Sequence, residues 1–130
     1  MAKWHEKYLD IPYEWGKSDC LRLIEKVLLK EKNYRVDEGG ELGQDWVKET
    51  PSRLIDSAVR CGDIIEDLNG LQEFDVVFFK MDGVVRHMGI MIDNYGRFLH
   101  QLQKRRSRID DINKRHWRNI FLCGVKIKFE

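Results

Sequence analysis

No run of the sequence approaches the roughly 20 consecutive apolar residues that a membrane-spanning helix needs, so membrane insertion is not expected. The opening residues, MAKWHEKYLD, lack the apolar core of a secretory leader, which predicts a chain made and folded in a cytoplasm. Cysteine is scarce: three residues, at 20, 61 and 123, form no CxxC pair and leave an odd one. That excludes a disulfide framework, and it leaves none of the close ligand pairs that make zinc motifs specific. Net charge is almost absent, with 23 Lys and Arg against 22 Asp and Glu, which argues against a protein built around nucleic acid. Internal repeats and low-complexity segments are missing too.

What remains is an ordinary globular composition, 42% hydrophobic and 35% charged over 130 residues, consistent with one compact domain spanning 1–130. A short helix is predicted over residues 3–9. The second helix is placed at about 19–31, capped by Ser18 or Asp19. Its apolar positions Cys20, Leu23, Ile24, Val27 and Leu28 form the i, i+3, i+4, i+7, i+8 stripe of a core-facing helix, while Arg22, Glu25 and Lys26 take the wet side. A Gly-rich acidic loop follows at 37–44, with one turn around Trp46, and TPSRLIDSAVRCG then reads as a helix with Thr50 as cap, Pro51 first and Gly62 past its end. From there the period becomes that of strands: DVVFFK (75–80), then HMGIMI (87–92) and RFLHQL (97–102) around the turn DNYG. RIDDINKRHWR reads as a turn and a short helix, and LCGVKIKF as a closing strand. Helices first and a strand meander afterwards predict an α+β domain, with the helices packed on one face of an antiparallel sheet.

Within this outline, one cysteine stands where a Gly- and Pro-punctuated loop becomes a helix. The unpaired N–H groups and the dipole at a helix start favour a thiolate there. Cys20 also belongs to the apolar stripe, so by itself it reads equally as an inert core residue. A thiol nucleophile needs a base, and the base needs an orienting group. His87 and His100 both lie in the predicted hairpin. A connecting loop of two or four residues sets them on one face of the sheet, whereas three residues would part them. On one face, the pair forms a Cys-His-His relay with Cys20, in which the inner ring takes the thiol proton and the outer ring fixes its tautomer.

Four stretches resemble the NlpC-type papain-like cell-wall peptidases, and especially their small phage-tail branch: PYEWGKSDC, LQEFDVVFF, RHMGIMIDNYGRFLHQL and WRNIFLCGVKIK. The resemblance implies a papain-like NlpC-type fold with the nucleophile at a helix N-terminus. It also implies a cysteine peptidase that hydrolyses amide bonds in peptidoglycan stem peptides without metal or other cofactor. The catalytic residues carried over are Cys20, His87 and His100. Tyr13 matches the loop tyrosine that helps stabilise the oxyanion, and Asp19 matches the acidic residue that in some members holds the substrate's amino group; its simpler role is a helix cap. The implied partners are a peptidoglycan peptide and other phage tail proteins, with no nucleic acid and no membrane insertion. The implied location is a virion tail.

The chain departs from the family pattern at Lys17, where a second glycine is usual, and at Leu21 and Arg22, where small residues are usual. It also has Phe74 where glycine is common. Lys17, Leu21 and Arg22 favour one alternative, a tail component that keeps the fold without useful catalysis; the resemblance to related lipid-acting branches implies another, an amidase or acyltransferase on the same Cys-His-His chemistry. Cys61 and Cys123 read as packing residues, His5 and His116 as surface residues, and KRRSR (104–108) as a solvated loop.

Overall fold

The computed structural model describes residues 3–14, 20–35, 62–81, 84–127 and 129. A 3-10 turn, Trp4–Tyr8, precedes helix α1, Cys20–Lys32. Strands β1 (Gly62–Ile65), β2 (Val76–Met81), β3 (Val84–Met91), β4 (Arg97–His100) and β5 (Arg108–Asp111) follow. Helix α2 (Arg115–Ile120) and strand β6 (Phe121–Ile127) complete the chain. The strands form one antiparallel sheet in the order β1-β6-β2-β3-β4-β5. The helix expected at 51–61, its cap Thr50, the loop at 37–44, Cys61 and the cap candidates Ser18 and Asp19 lie outside the described residues.

The apolar stripe of α1 is buried as its spacing predicts, and Leu21 is buried with it. The helix ends one residue later than expected. Asn33 takes a left-handed conformation (φ +50°), and the Tyr34 N–H donates to the Leu28 carbonyl at 3.1 Å, closing the last turn. The Tyr8 hydroxyl donates to Glu31 at 2.7 Å and so ties the N-terminal turn to α1.

Two apolar clusters flank the sheet. The first gathers α1 with Val76, Phe78, Val85, Met88, Ile90, Leu99, Cys123 and Val125. The second contains Val77, Phe79, Met91, Phe98, Ile112 and Trp117. Because Trp117 belongs to α2, helices cover both faces; the expectation that they share one face is corrected. The cause is Trp117, which packs edge-on to Phe79 at 5.1 Å in the second cluster.

Two further strands differ from expectation. β1 starts at Gly62, the residue read as a helix stop, and pairs with β6. RIDD, read as a turn, is β5, pairing with β4 at the sheet edge. Both are four residues long, too short for a period-2 signal to stand out.

Candidate active site

The β3–β4 hairpin fixes the two histidines. Its register pairs Gly89 with His100, Ile90 with Leu99 and Met91 with Phe98. The Ile92 N–H donates to the Arg97 carbonyl at 3.0 Å, leaving Asp93–Gly96 as a four-residue loop. Asp93 organises that loop, accepting from the Tyr95 and Arg97 N–H groups and the Arg97 guanidinium. Gly96 supplies a positive φ of +105°, in the region glycine adopts without strain. The loop therefore has the length that places His87 and His100 on one face.

A β-bulge aims His87. Phe79 pairs with His87 and Lys80 with Val85, so Arg86 is an extra residue in β3. Residues two apart on a regular strand share a face; the extra residue lets Val85 enter the first cluster while His87 stacks on Phe79 at 5.8 Å, beside the second. Trp117 lies against both imidazoles, 6.0 Å from the His87 ring and 4.8 Å from that of His100.

The imidazoles are 4% and 0% exposed and are hydrogen-bonded to each other, His87 Nε2 to His100 Nδ1 at 2.7 Å. His100 Nε2 donates to Asp110 Oδ2 at 2.6 Å. Arg108 donates to the same carboxylate from Nη2 at 3.0 Å, and its Nε lies 2.9 Å from Oδ2. Burial holds His87 well below the usual histidine range, and the neighbouring His100 lowers it further. Burial also lowers His100, against the opposing pull of Asp110. For Asp110, burial pushes upward, but the hydrogen bonds from His100 and Arg108 and their charges outweigh it, so its carboxyl stays low. Both rings are thus neutral at pH 7 beside an ionised carboxylate.

Cys20 is the first residue of α1, 4% exposed and not disulfide-bonded. It sits in the first cluster, where α1 packs against β3 and β4, whereas the histidines pack beside the second. The histidines are brought into direct contact; the thiol belongs to the helix over the same two strands. Tyr13 is half-buried in the loop before α1. That loop is fastened to the segment that follows His100. The Ile11 N–H donates to Ser107 Oγ at 2.8 Å, Ser107 Oγ donates to the Tyr8 carbonyl at 2.6 Å, and Gln101 Nε2 donates to the Ile11 carbonyl at 2.7 Å. Ser107 is buried, so KRRSR is in part a structural clasp and not wholly a solvated loop.

Across residues 10–126 the sequence matches the profile of the NlpC/P60 family. The chain belongs to the NlpC/P60 family. Its fold is that of solved family members. The chain is 20% identical to the NlpC/p60 domain of the peptidoglycan hydrolase SagA, with a TM-score of 0.63 over 93% of this chain and 91% of that one. An NlpC/P60 family protein from Bacillus cereus ATCC 10987 is 19% identical, with a TM-score of 0.65 over 92% of this chain and 36% of that one. A lipoprotein-like NLP/P60 family protein from Staphylococcus aureus is 21% identical, with a TM-score of 0.59 over 95% of this chain and 39% of that one. A search of curated proteins returns no match.

Within this NlpC/P60 domain, three departures from the family pattern acquire a physical account. Leu21 is a core residue, and Arg22 pairs with Glu25 on its own helix at 2.7 Å. Phe74 keeps the left-handed conformation that glycine would favour (φ +72°), held by stacking on Trp4 at 4.6 Å. Lys17 lies outside the described residues. Among the described residues no three His, Cys, Asp or Glu side chains are grouped to hold a metal, and no helix is long and apolar enough to cross a membrane. Asp110 is the site residue that sequence reading missed. The signal was the alternation Arg108, Ile109, Asp110, with the charged pair on the histidine face and Ile109 packed into the first cluster.

Proposed function

We propose that this NlpC/P60 domain is a cysteine peptidase that hydrolyses amide bonds in peptidoglycan stem peptides. The buried, hydrogen-bonded pair His87–His100 supports this most directly: two neutral imidazoles in sequence are a poor core but a suitable proton carrier. The roles follow from the ring atoms. With His87 Nε2 committed to His100, Nδ1 is the ring nitrogen left to act as the base. His87 Nδ1 takes the Cys20 Sγ proton as the sulfur attacks the amide carbonyl, and the tetrahedral oxyanion forms beside the start of α1. Tyr13 is the side-chain donor to that oxyanion, a contribution of about 3 kcal/mol, and Asp19 receives the substrate's amino group. The carbon–nitrogen bond then breaks, and His87 Nδ1–H protonates the leaving amine. Water attacks the thioester, gives its proton to His87, and the thiol leaves, regenerating Cys20 and releasing a carboxylate. No metal or other cofactor enters these steps.

The likeness of the four sequence stretches to the phage-tail branch supports a role in a phage or prophage tail particle, among other tail proteins. The burial of Leu21 and the pairing of Arg22 weigh against the non-catalytic alternative, because neither residue needs to fill the groove. The test is to incubate the protein and its Cys20→Ala form with peptidoglycan fragments and to detect new amine termini by mass spectrometry. The wild type should release them and Cys20→Ala should not. A folded wild type that releases none refutes the peptidase reading; release of an acylated product instead assigns the transferase.

A further inference from the structure

The chain of hydrogen bonds does not end at the second histidine, and its far end decides which way it points. Asp110 sits on edge strand β5, paired with Phe98 and diagonal to His100, on the face of both imidazoles. A carboxylate only accepts, so the 2.6 Å contact requires the proton on His100 Nε2. In a neutral ring, His100 Nδ1 is then a bare acceptor, and the 2.7 Å contact requires the proton on His87 Nε2. Neutral His87 is left with its lone pair on Nδ1. The reverse polarity needs Asp110 protonated and donating, and Arg108, held against both carboxylate oxygens, opposes that. Among the described residues no other charged group adjoins the rings on this face: β2 presents Phe79, β4 Phe98 and α2 Trp117, behind whose ring lies that of His116 at 4.9 Å.

We propose that Asp110, braced by Arg108, is a positioning residue that orients the His87–His100 chain so that His87 Nδ1 is the base, and that stabilises the imidazolium formed as Cys20 is deprotonated. The role in turnover rests on the peptidase reading; the role in setting tautomers does not. When His87 takes the thiol proton, the positive charge is spread along two short hydrogen bonds toward an anion that stays ionised throughout. Asp110 itself gains no proton.

Asp110→Asn keeps the shape while allowing the amide to turn an N–H toward His100, and Asp110→Ala removes the acceptor. The experiment measures two things on the full chain. The first is the tautomer of each ring by nitrogen NMR at pH 7.5. Both rings should be protonated at Nε2 in the wild type, and the preference should be lost or reversed in the variants. The second is kcat and KM for release of amine termini from peptidoglycan fragments against pH. Asp110→Asn should lose on the order of 10- to 1000-fold in kcat with little change in KM, and the acidic limb of its profile should move to lower pH. Asp110→Glu should recover part of the loss. Unchanged tautomers together with an unchanged pH profile in a folded Asp110→Asn protein would overturn the proposal. A wild type that is inactive but shows the expected tautomers, reversed in Asp110→Asn, would sink the peptidase reading and leave the positioning role standing.

Discussion

Acid should weaken this fold well before carboxylates begin to protonate, and the histidine pair is the reason. Both imidazoles have folded-state pKa values below the ordinary 6.5: burial lowers each, His100 lowers His87 further, and Asp110 only partly opposes the effect on His100. The unfolded chain therefore binds more protons than the fold as pH drops through 6.5, and stability falls with it. In the limit where neither ring is protonated in the fold, each costs about 2 kcal/mol between pH 7 and pH 5, so the pair costs up to about 4 kcal/mol. His100 reaches less than its limit, because Asp110 favours its charged form. The carboxyls of Glu31, Asp93 and Asp110 are held below their usual ranges, so their stabilisation is nearly complete above about pH 5 and is lost at lower pH. The window between pH 5 and pH 7 thus isolates the histidines. A loss of about 3 kcal/mol is a large part of the 5–15 kcal/mol typical of a domain and lowers Tm by about 10 °C. Urea unfolding at pH 7, 6 and 5 measures it. His87→Gln should flatten the slope by up to about 1.4 kcal/mol per pH unit. Stability that is level between pH 7 and pH 5, or a His87→Gln protein with the wild-type slope, refutes the reasoning.

Two substitutions probe the framework around the site. A Cβ at Gly89 would stand 2.8 Å from Phe98 Cδ2, 3.0 Å from the Leu99 carbonyl oxygen and 3.3 Å from His100 Cβ. Gly89→Ala should cost about 1–3 kcal/mol in urea unfolding and displace the His100 ring, visible as a shift of its NMR signals. Ser107→Ala removes one acceptor and one donor from buried backbone groups at Ile11 and Tyr8. It should cost about 1–3 kcal/mol and accelerate hydrogen exchange at the Ile11 amide selectively; protection unchanged there would show that the clasp does not hold the Tyr13 loop.

What the sequence made legible was what depends on neighbours in the chain. The i, i+3, i+4 stripe of α1 declared its buried face, and the choice between even and odd loop lengths framed the one question on which the histidine pair turned. Asp110 was hidden because RIDDIN carries the signature of a turn, and only pairing with β4 reveals that Arg108 and Asp110 share the face of His100. β1 was hidden by Gly62, which serves as well to open a strand as to stop a helix. The placement of α2 opposite α1 depends on Trp117 finding Phe79 and Phe98, contacts between residues far apart in sequence. At Phe74, the family's preference for glycine signalled a backbone shape, and the stacking on Trp4 that lets phenylalanine adopt it is tertiary.

The four-residue loop at Asp93–Gly96 has a consequence for how such a protein can diverge. Exposed turns ordinarily absorb insertions and deletions at little cost. This one sets a parity: adding or removing a single residue while keeping the strands in register with the core would turn His100 away from His87, and with it the link to Asp110. Length change there is tolerable only in steps of two, or with a bulge that restores the count. A solvent-exposed turn is therefore under the same restraint as the histidines it serves.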